Sequence, residues 1–371
     1  MRLLLTSFFC SFLMFTACTE GGEISKNESI VFPASEWKTS GPDQVGLSRD
    51  SLSKALGYLS NYCGANGLTQ TMVIKDGYVV FAGDSLNVQH NIYSATKSLT
   101  STVLGILIDD GVVNLDDKAA KYEPLLEELY PDVTLRHFAT MTSGYAAKGG
   151  SRWSEGGEDW SITPYDPTLP LFAPGEAFAY WDEAQMMFGR VLLQAAGRDL
   201  YEVLDERLMQ PIGVKDWKWW AEDTITLTNG VKAPLRNGAT GIEVTPNQLA
   251  RIGWLFANYG VWNGKTLLDP DFAKEAMSAQ VNPLMKVANT DRKDINGSGV
   301  YGFNWWTASP NNGGEFRMRD APSDAAYMTG LNHNICVVIP SEKIVIVRMG
   351  EDGNPPLGKD FVYNGFMKIL L

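Results

Sequence analysis

The sequence is short of the residues on which several common chemistries depend. It has three histidines, His90, His137 and His333, in 371 residues. No His-x-x-x-His and no Cys-x-x-Cys occurs, so nothing in the sequence proposes a catalytic metal, and no cofactor is expected. No Gly-x-Ser-x-Gly elbow is present, which argues against the serine–histidine triad of α/β-hydrolases. There are four cysteines, too few for a disulfide framework. Positive charge is scarce: 31 Lys and Arg face 43 Asp and Glu, a formal net charge of −12. Without a basic cluster or a base-stacking motif, nucleic acid is not an expected partner. Beyond the first 18 residues no apolar run reaches the length of a membrane span.

What is there begins with an export signal. Arg2 supplies the positive end, Leu3 to Phe15 the apolar core, and Phe15-Thr-Ala-Cys18 closes it, similar to a bacterial lipobox. Residues 1–17 are read as the signal, Cys18 as the lipidated residue and 18–34 as a polar tether. The expected address is periplasmic or outer-membrane-attached, with membrane contact through the lipid alone. Of the other cysteines, Cys63 and Cys336 are read as two buried thiols, although export would permit a disulfide between them.

The chain is organised around Tyr93-Ser-Ala-Thr-Lys-Ser98 and the apolar run that extends from it to Gly111. Ser94, Lys97, Ser98 and Ser101 share one helical face, and the rest of the run is apolar on several sides, as in a buried helix. A buried ammonium needs a reason. A nucleophilic Ser94 with Lys97 one turn on as its activator supplies one, and the helix start favours negative charge on the Ser94 oxygen. Ser-x-x-Lys alone is common by chance, so the reading depends on the other motifs of the chain.

From Ile92 to Tyr145 the sequence resembles the serine β-lactamase and penicillin-binding protein superfamily, in its class C-like branch. That branch includes esterases, D-amino-acid peptidases and 6-aminohexanoate-dimer hydrolases. The matching phrases are Ser94-Ala-Thr-Lys97, Asp110-Gly-Val-Val-Asn-Leu-Asp116 and Thr134-Leu-Arg-His-Phe-Ala-Thr-Met-Thr-Ser-Gly144. Pro174-Gly-Glu-Ala-Phe-Ala-Tyr180-Trp-Asp182 resembles the second motif, Tyr-x-Asn. The resemblance covers residues 35–371 and implies an α+β fold of the β-lactamase/transpeptidase type. It also implies an acyl-enzyme on Ser94, proton transfer through Lys97 and Tyr180, and an oxyanion held by the N–H groups of Ser94 and Leu331. A free phenol titrates near ~10, and a Lys97 ammonium beside Tyr180 would lower that.

Two positions depart from the pattern. Asp182 stands where asparagine is usual. It could cap its own helix, contact Lys97 and hold it protonated, which would make Tyr180 the base, or do both at once. The third motif, Lys-Thr-Gly in relatives, aligns with Met328-Thr329-Gly330-Leu331, where the cation is gone. With Asp182, Met328, Thr329, Gly330, Trp181 and His333 as candidate substrate contacts, a neutral small ester or amide is the expected substrate. A peptidoglycan D-peptidase, a weak β-lactamase and a non-turnover sensor are the alternatives. Trp153, Trp160, Trp181, Trp305 and Trp306 are either pocket walls or core. His137, in the first turn of a helix capped by Thr134, reads as structural.

Periodicity gives the frame. A helix capped by Ser48 or Asp50 carries Leu52, Leu56, Leu59 and Tyr62. Thr71–Lys75 and Tyr78–Phe81 flank an Asp76-Gly77 turn. Ile335–Ile339 and Ile344–Arg348 form a second hairpin, and Phe361–Leu371 a last helix. This predicts one antiparallel sheet built from both chain ends, with the terminal helices on one face. A mainly helical region, about 117–296, is inserted between them. Asp182-Glu-Ala-Gln185 reads like a capping box for a helix stopped by Gly197, and Thr245-Pro-Asn-Gln248 and Asp269-Pro270 start two more.

Overall fold

The structure, a computed structural model, describes residues 30–61, 67–149, 161–288, 295–308, 318–350 and 362–371. The chain divides after Ile30, and the unit from Val31 to Leu371 carries the fold. The signal, Cys18, Cys63, Tyr62, Trp153 and Trp160 lie outside the described residues.

The frame is a seven-stranded sheet. Its members are β1 (Lys38–Thr39), β2 (Thr71–Lys75), β3 (Tyr78–Ala82), β4 (Trp306–Thr307), β5 (Ala326–Gly330), β6 (Asn334–Ile339) and β7 (Ile344–Arg348). They lie in the order β1-β3-β2-β7-β6-β5-β4. All neighbours are antiparallel except β1 with β3, which are parallel. At the centre β2 pairs with β7, so the first strands and the last meet there, as the two hairpins predict. The β2–β3 turn puts Asp76 at φ 55° and Gly77 at φ 85°, both left-handed as a type I′ turn requires.

Successive strand residues point to opposite faces, and here both faces are covered. On one side Val73, Ile335, Val337 and Ile346 pack with Leu52, Leu56 and Leu59 of α1 (Arg49–Ser60) and Phe366, Met367 and Leu370 of α5 (Val362–Leu370). On the other side Met72, Ile74, Cys336, Val338, Val345 and Val347 belong to a larger core. That core holds α2 (Thr96–Asp109), α3 (Asp182–Ala196) and α4 (Pro246–Ala257). Double coverage explains why β6 is buried along its whole length rather than alternating. Cys336 is a free, buried thiol, and burial pushes its pKa up.

Local signals set most helix starts. Ser48 accepts the Ser51 N–H at the head of α1. Thr245 and Gln248 form a complete capping box on α4, and Asp269 caps the helix Pro270–Ala276. Thr134 and His137 form another, with His137 Nδ1 accepting the Thr134 N–H at 3.1 Å, so His137 holds a helix start as expected. α3 differs: its N-cap is Trp181 with no side-chain bond, and Asp182 lies inside the first turn, so the capping role for Asp182 is not what it does. Gly197, left-handed at φ 67°, ends α3.

The inserted middle is less purely helical than periodicity predicts. Ile242–Val244 pairs with both His90–Asn91 and Lys218–Trp219, and Ala221–Thr226 pairs with Lys232–Arg236. The Ala221–Thr226 strand is exposed on nearly every residue, so no alternation marks it in the sequence.

Candidate active site

The site forms where the start of α2, the start of α3 and the end of β5 meet. α2 is buried over every residue from Thr96 to Leu107. A short 3-10 turn, Tyr93–Ala95, leads into it and carries Ser94. Tyr93 sits at φ 48°, a left-handed conformation that a bulky side chain seldom adopts. It is held by its N–H donating to Asn91 Oδ1 at 2.7 Å. Strain of this kind immediately before a serine is a common mark of a functional turn.

Lys97 lies one turn on and is 1% exposed. Its Nζ is 2.9 Å from Ser94 Oγ, 3.0 Å from the Ala239 carbonyl oxygen and 2.7 Å from Asp182 Oδ1. An ammonium has three protons and no lone pair, and here three acceptors surround it. Burial opposes the charge, but the Asp182 carboxylate and the Tyr180 hydroxyl outweigh it, and the Lys97 pKa is held above the usual lysine range. Of the two roles considered for Asp182, contact with Lys97 is the one the geometry contains.

Tyr180 is 9% exposed, and Lys97 Nζ lies 5.0 Å from its ring centroid. The ring stacks on Trp306 at 5.9 Å and 22° and meets Tyr301 edge-on at 6.4 Å. Tyr301 in turn is tied to α2: Asn304 Nδ2 donates to its hydroxyl at 3.2 Å, while Asn304 accepts Ser98 Oγ on its carbonyl and Ser101 Oγ on its side chain. The serine face of α2 therefore has two uses. Ser94 faces the site, and Ser98 and Ser101 fasten the loop that carries the aromatic wall of Tyr180.

β5 closes the third side. A Cβ on Gly330 would lie 2.1 Å from the Ile92 carbonyl oxygen and 3.0 Å from Ser94 N. Only glycine lets the strand end approach the Ser94 turn this closely. Thr329 is half-buried, and Leu331 opens the 3-10 turn Leu331–His333 with its side chain 64% exposed. The His333 side chain lies outside the described residues.

Two expected substrate contacts are corrected by burial. Met328 is completely buried in the core shared with α2, so no surface of it is open to a solute. Trp181 is 3% exposed in the same core, and Trp305 and Trp306 are buried too. For these three tryptophans the core reading holds, Trp306 supporting Tyr180 from behind.

Sequence reasoning missed Asn237 and Ala239. Asn237 is buried, and its Oδ1 accepts the N–H groups of Ala239 at 2.8 Å and Thr240 at 3.1 Å. This turn presents the Ala239 carbonyl to Lys97. The only signal was the small, polar run Asn237-Gly-Ala-Thr-Gly241 between apolar stretches, which marks a turn but not its purpose.

The family model for beta-lactamase matches residues 70–360, most of the chain. The chain belongs to the beta-lactamase family of serine hydrolases. Among curated proteins it is similar to the D-alanyl-D-alanine-carboxypeptidase/endopeptidase of Escherichia coli, 31% identical over 184 residues, 43% of this chain and 46% of that protein. The match thus spans less than half of that relative. Among solved structures, a penicillin-binding protein homologue from Caulobacter crescentus superposes with a TM-score of 0.61 at 15% identity, covering 88% of this chain and 97% of its own. Unliganded simvastatin synthase from Aspergillus terreus gives 0.63 at 15%, covering 87% and 98%. At such identities the two structures speak for the fold alone.

Proposed function

We propose that the protein cleaves a small, neutral ester or amide through an acyl-enzyme on Ser94, with Tyr180 as the proton-transfer group and Lys97 as a permanent cation. One observation carries this reading: Lys97 is surrounded by three acceptors, one of them the Asp182 carboxylate. A lysine so held keeps its proton near neutral pH and has no lone pair to take up another, so the base must be the neighbouring phenol.

Ser94 Oγ attacks the carbonyl carbon as its proton passes to Tyr180. The oxyanion rests on the N–H groups of Ser94 and Leu331. The C–O or C–N bond breaks as Tyr180 returns the proton to the leaving group. Water then attacks the acyl-enzyme as Tyr180 takes its proton, and Tyr180 hands that proton to Ser94 Oγ as the ester C–O bond breaks and the acid departs.

Substrate charge follows from what the site lacks among the described residues. Met328 stands buried where relatives carry a cation. Arg236 is engaged by Asp199 through two bonds of 2.9 and 2.6 Å. A carboxylate next to the scissile bond would find neither, and burying it unpaired costs several kcal/mol, about a thousandfold in affinity. This ranks a D-peptidase, which must hold a terminal carboxylate, below an esterase or amidase. We also propose export and lipidation at Cys18, supported by Arg2, the apolar run to Phe15 and the small residues before the cysteine.

The test uses a fluorophosphonate and a chromogenic ester. One label per chain on the Ser94 peptide, lost with turnover in Ser94→Ala, is the expected result. Label elsewhere, or turnover that survives Ser94→Ala, overturns the reading.

A further inference from the structure

Arg348 is the last residue of β7 and is completely buried. Its strand neighbours are Thr71 and Ile335, neither of them charged. A guanidinium in such a place is costly unless acceptors meet it. One it meets is distant in sequence: Arg348 Nη1 donates to the carbonyl oxygen of Asn332. Asn332 is the centre of the Leu331–His333 turn and is left-handed at φ 60°.

Asn334, itself buried, holds the same turn from the other side. Its Nδ2 donates to the Leu331 carbonyl at 2.8 Å, and its Oδ1 accepts the Gly350 N–H at 3.0 Å. Two consecutive carbonyls of the turn are thus fixed by side chains rooted in the sheet. The residue just ahead of them, Gly330, is pressed against Ser94 N.

We propose that Arg348 is a positioning residue for the oxyanion site: it locks the Leu331–His333 turn so that the Leu331 N–H stays beside that of Ser94. It touches no reacting atom. The proposal rests on the Ser94 acyl-enzyme reading. An exposed leucine followed by a left-handed asparagine has little of its own to hold it, and the buried guanidinium supplies a rigid anchor from the central strands. A displacement of about 1 Å at such a donor is enough to cost about a hundredfold in rate.

The test compares wild type, Arg348→Gln and Arg348→Lys on 4-nitrophenyl butyrate and on its thionoester, in which sulfur replaces the carbonyl oxygen. Rates are normalised to sites titrated with a fluorophosphonate, so unfolded chains do not count. Sulfur is a poor hydrogen-bond acceptor and gains little from the two N–H groups. Arg348→Gln should therefore lose about a hundredfold in kcat/KM on the oxoester, mostly in kcat, and under about tenfold on the thionoester. Arg348→Lys, which keeps a charged donor, should recover at least part of the oxygen preference, and it carries the test if the glutamine variant does not fold. Equal losses on both esters, or no loss, would overturn the proposal. If wild type itself fails to label at Ser94, the acyl-enzyme reading has failed instead.

Discussion

At the scale of single residues, the pair Lys97–Asp182 decides the most. Replacing Asp182 by Asn leaves a buried ammonium with neutral acceptors only. Removing one partner of a buried pair costs about 3–5 kcal/mol, and Asp182, 21% exposed, belongs at the lower end. We expect Asp182→Asn to lower unfolding free energy by about 2–3 kcal/mol near neutral pH, measured by denaturant titration. The sign with pH follows from Lys97. Its folded pKa lies above its unfolded one, so its contribution is complete below about 10.4 and is lost as pH rises through the higher folded value. The gap between wild type and variant should therefore close in strong alkali and stay open at pH 7. In kinetics, loss of the Asp182 charge beside Lys97 changes the field at Ser94, and the acidic limb of kcat/KM should shift. An unmoved limb would deny Asp182 its electrostatic role. A second residue-scale expectation concerns substrate: on a matched acid and methyl ester, wild type should prefer the ester. Preference for the acid would overturn the neutral-substrate reading.

At the scale of elements, two glycines on helices make opposite predictions. A Cβ on Gly253 of α4 would lie 2.6 Å from Cys336 Sγ and 2.7 Å from Val345 Cγ1, so this helix rests directly on the sheet. Gly57 of α1 has nothing within 4 Å. Alanine gains up to ~1 kcal/mol in helix propensity at either place, but overpacking at Gly253 costs about 1–3 kcal/mol. Gly253→Ala should destabilise and Gly57→Ala should stabilise by about 0.5–1 kcal/mol, both read from thermal and denaturant midpoints. The elements also show what could be read in advance. Ser48, Thr134, Thr245 and Asp269 mark helix starts because a cap is a local bond, and Asp76-Gly77 marks a turn because two left-handed residues are needed. Ala221–Thr226 carries no such mark, since it buries almost nothing. Ser94 and Lys97 share a helical spacing and Tyr180 follows from the family resemblance, and the structure brings Lys97 beside both. The burial of Met328, the carbonyl of Ala239 and the support from Arg348 were not legible, because each depends on which distant segment lies opposite.

At the scale of the whole molecule, the two core clusters share the sheet between them, and the larger joins β2, α2, α3 and α4. With no separable unit inside residues 31–371, unfolding should be one transition in calorimetry rather than two. Removing α5 exposes the places of Phe366, Met367 and Leu370, each buried. At about 1.5–3 kcal/mol per side chain, the loss rivals a total stability of about 5–15 kcal/mol. A chain ending before Val362 should therefore fail to label at Ser94 and should elute as aggregate. Normal labelling of such a chain would show that the two ends are not coupled as the sheet implies.

The pairing of β2 with β7 also sets a clock. β2 leaves the ribosome early, yet its partner Ile344–Arg348 is among the last segments made. At about 5–20 residues per second, roughly 14–55 s separate the two. Throughout that interval one edge of β2 is unmatched, and for most of it the strand end that lies against the Ser94 turn does not yet exist. A half-made chain thus carries Ser94 without the finished sheet that Gly330 brings against it, so the site is assembled only when the last strands are in place.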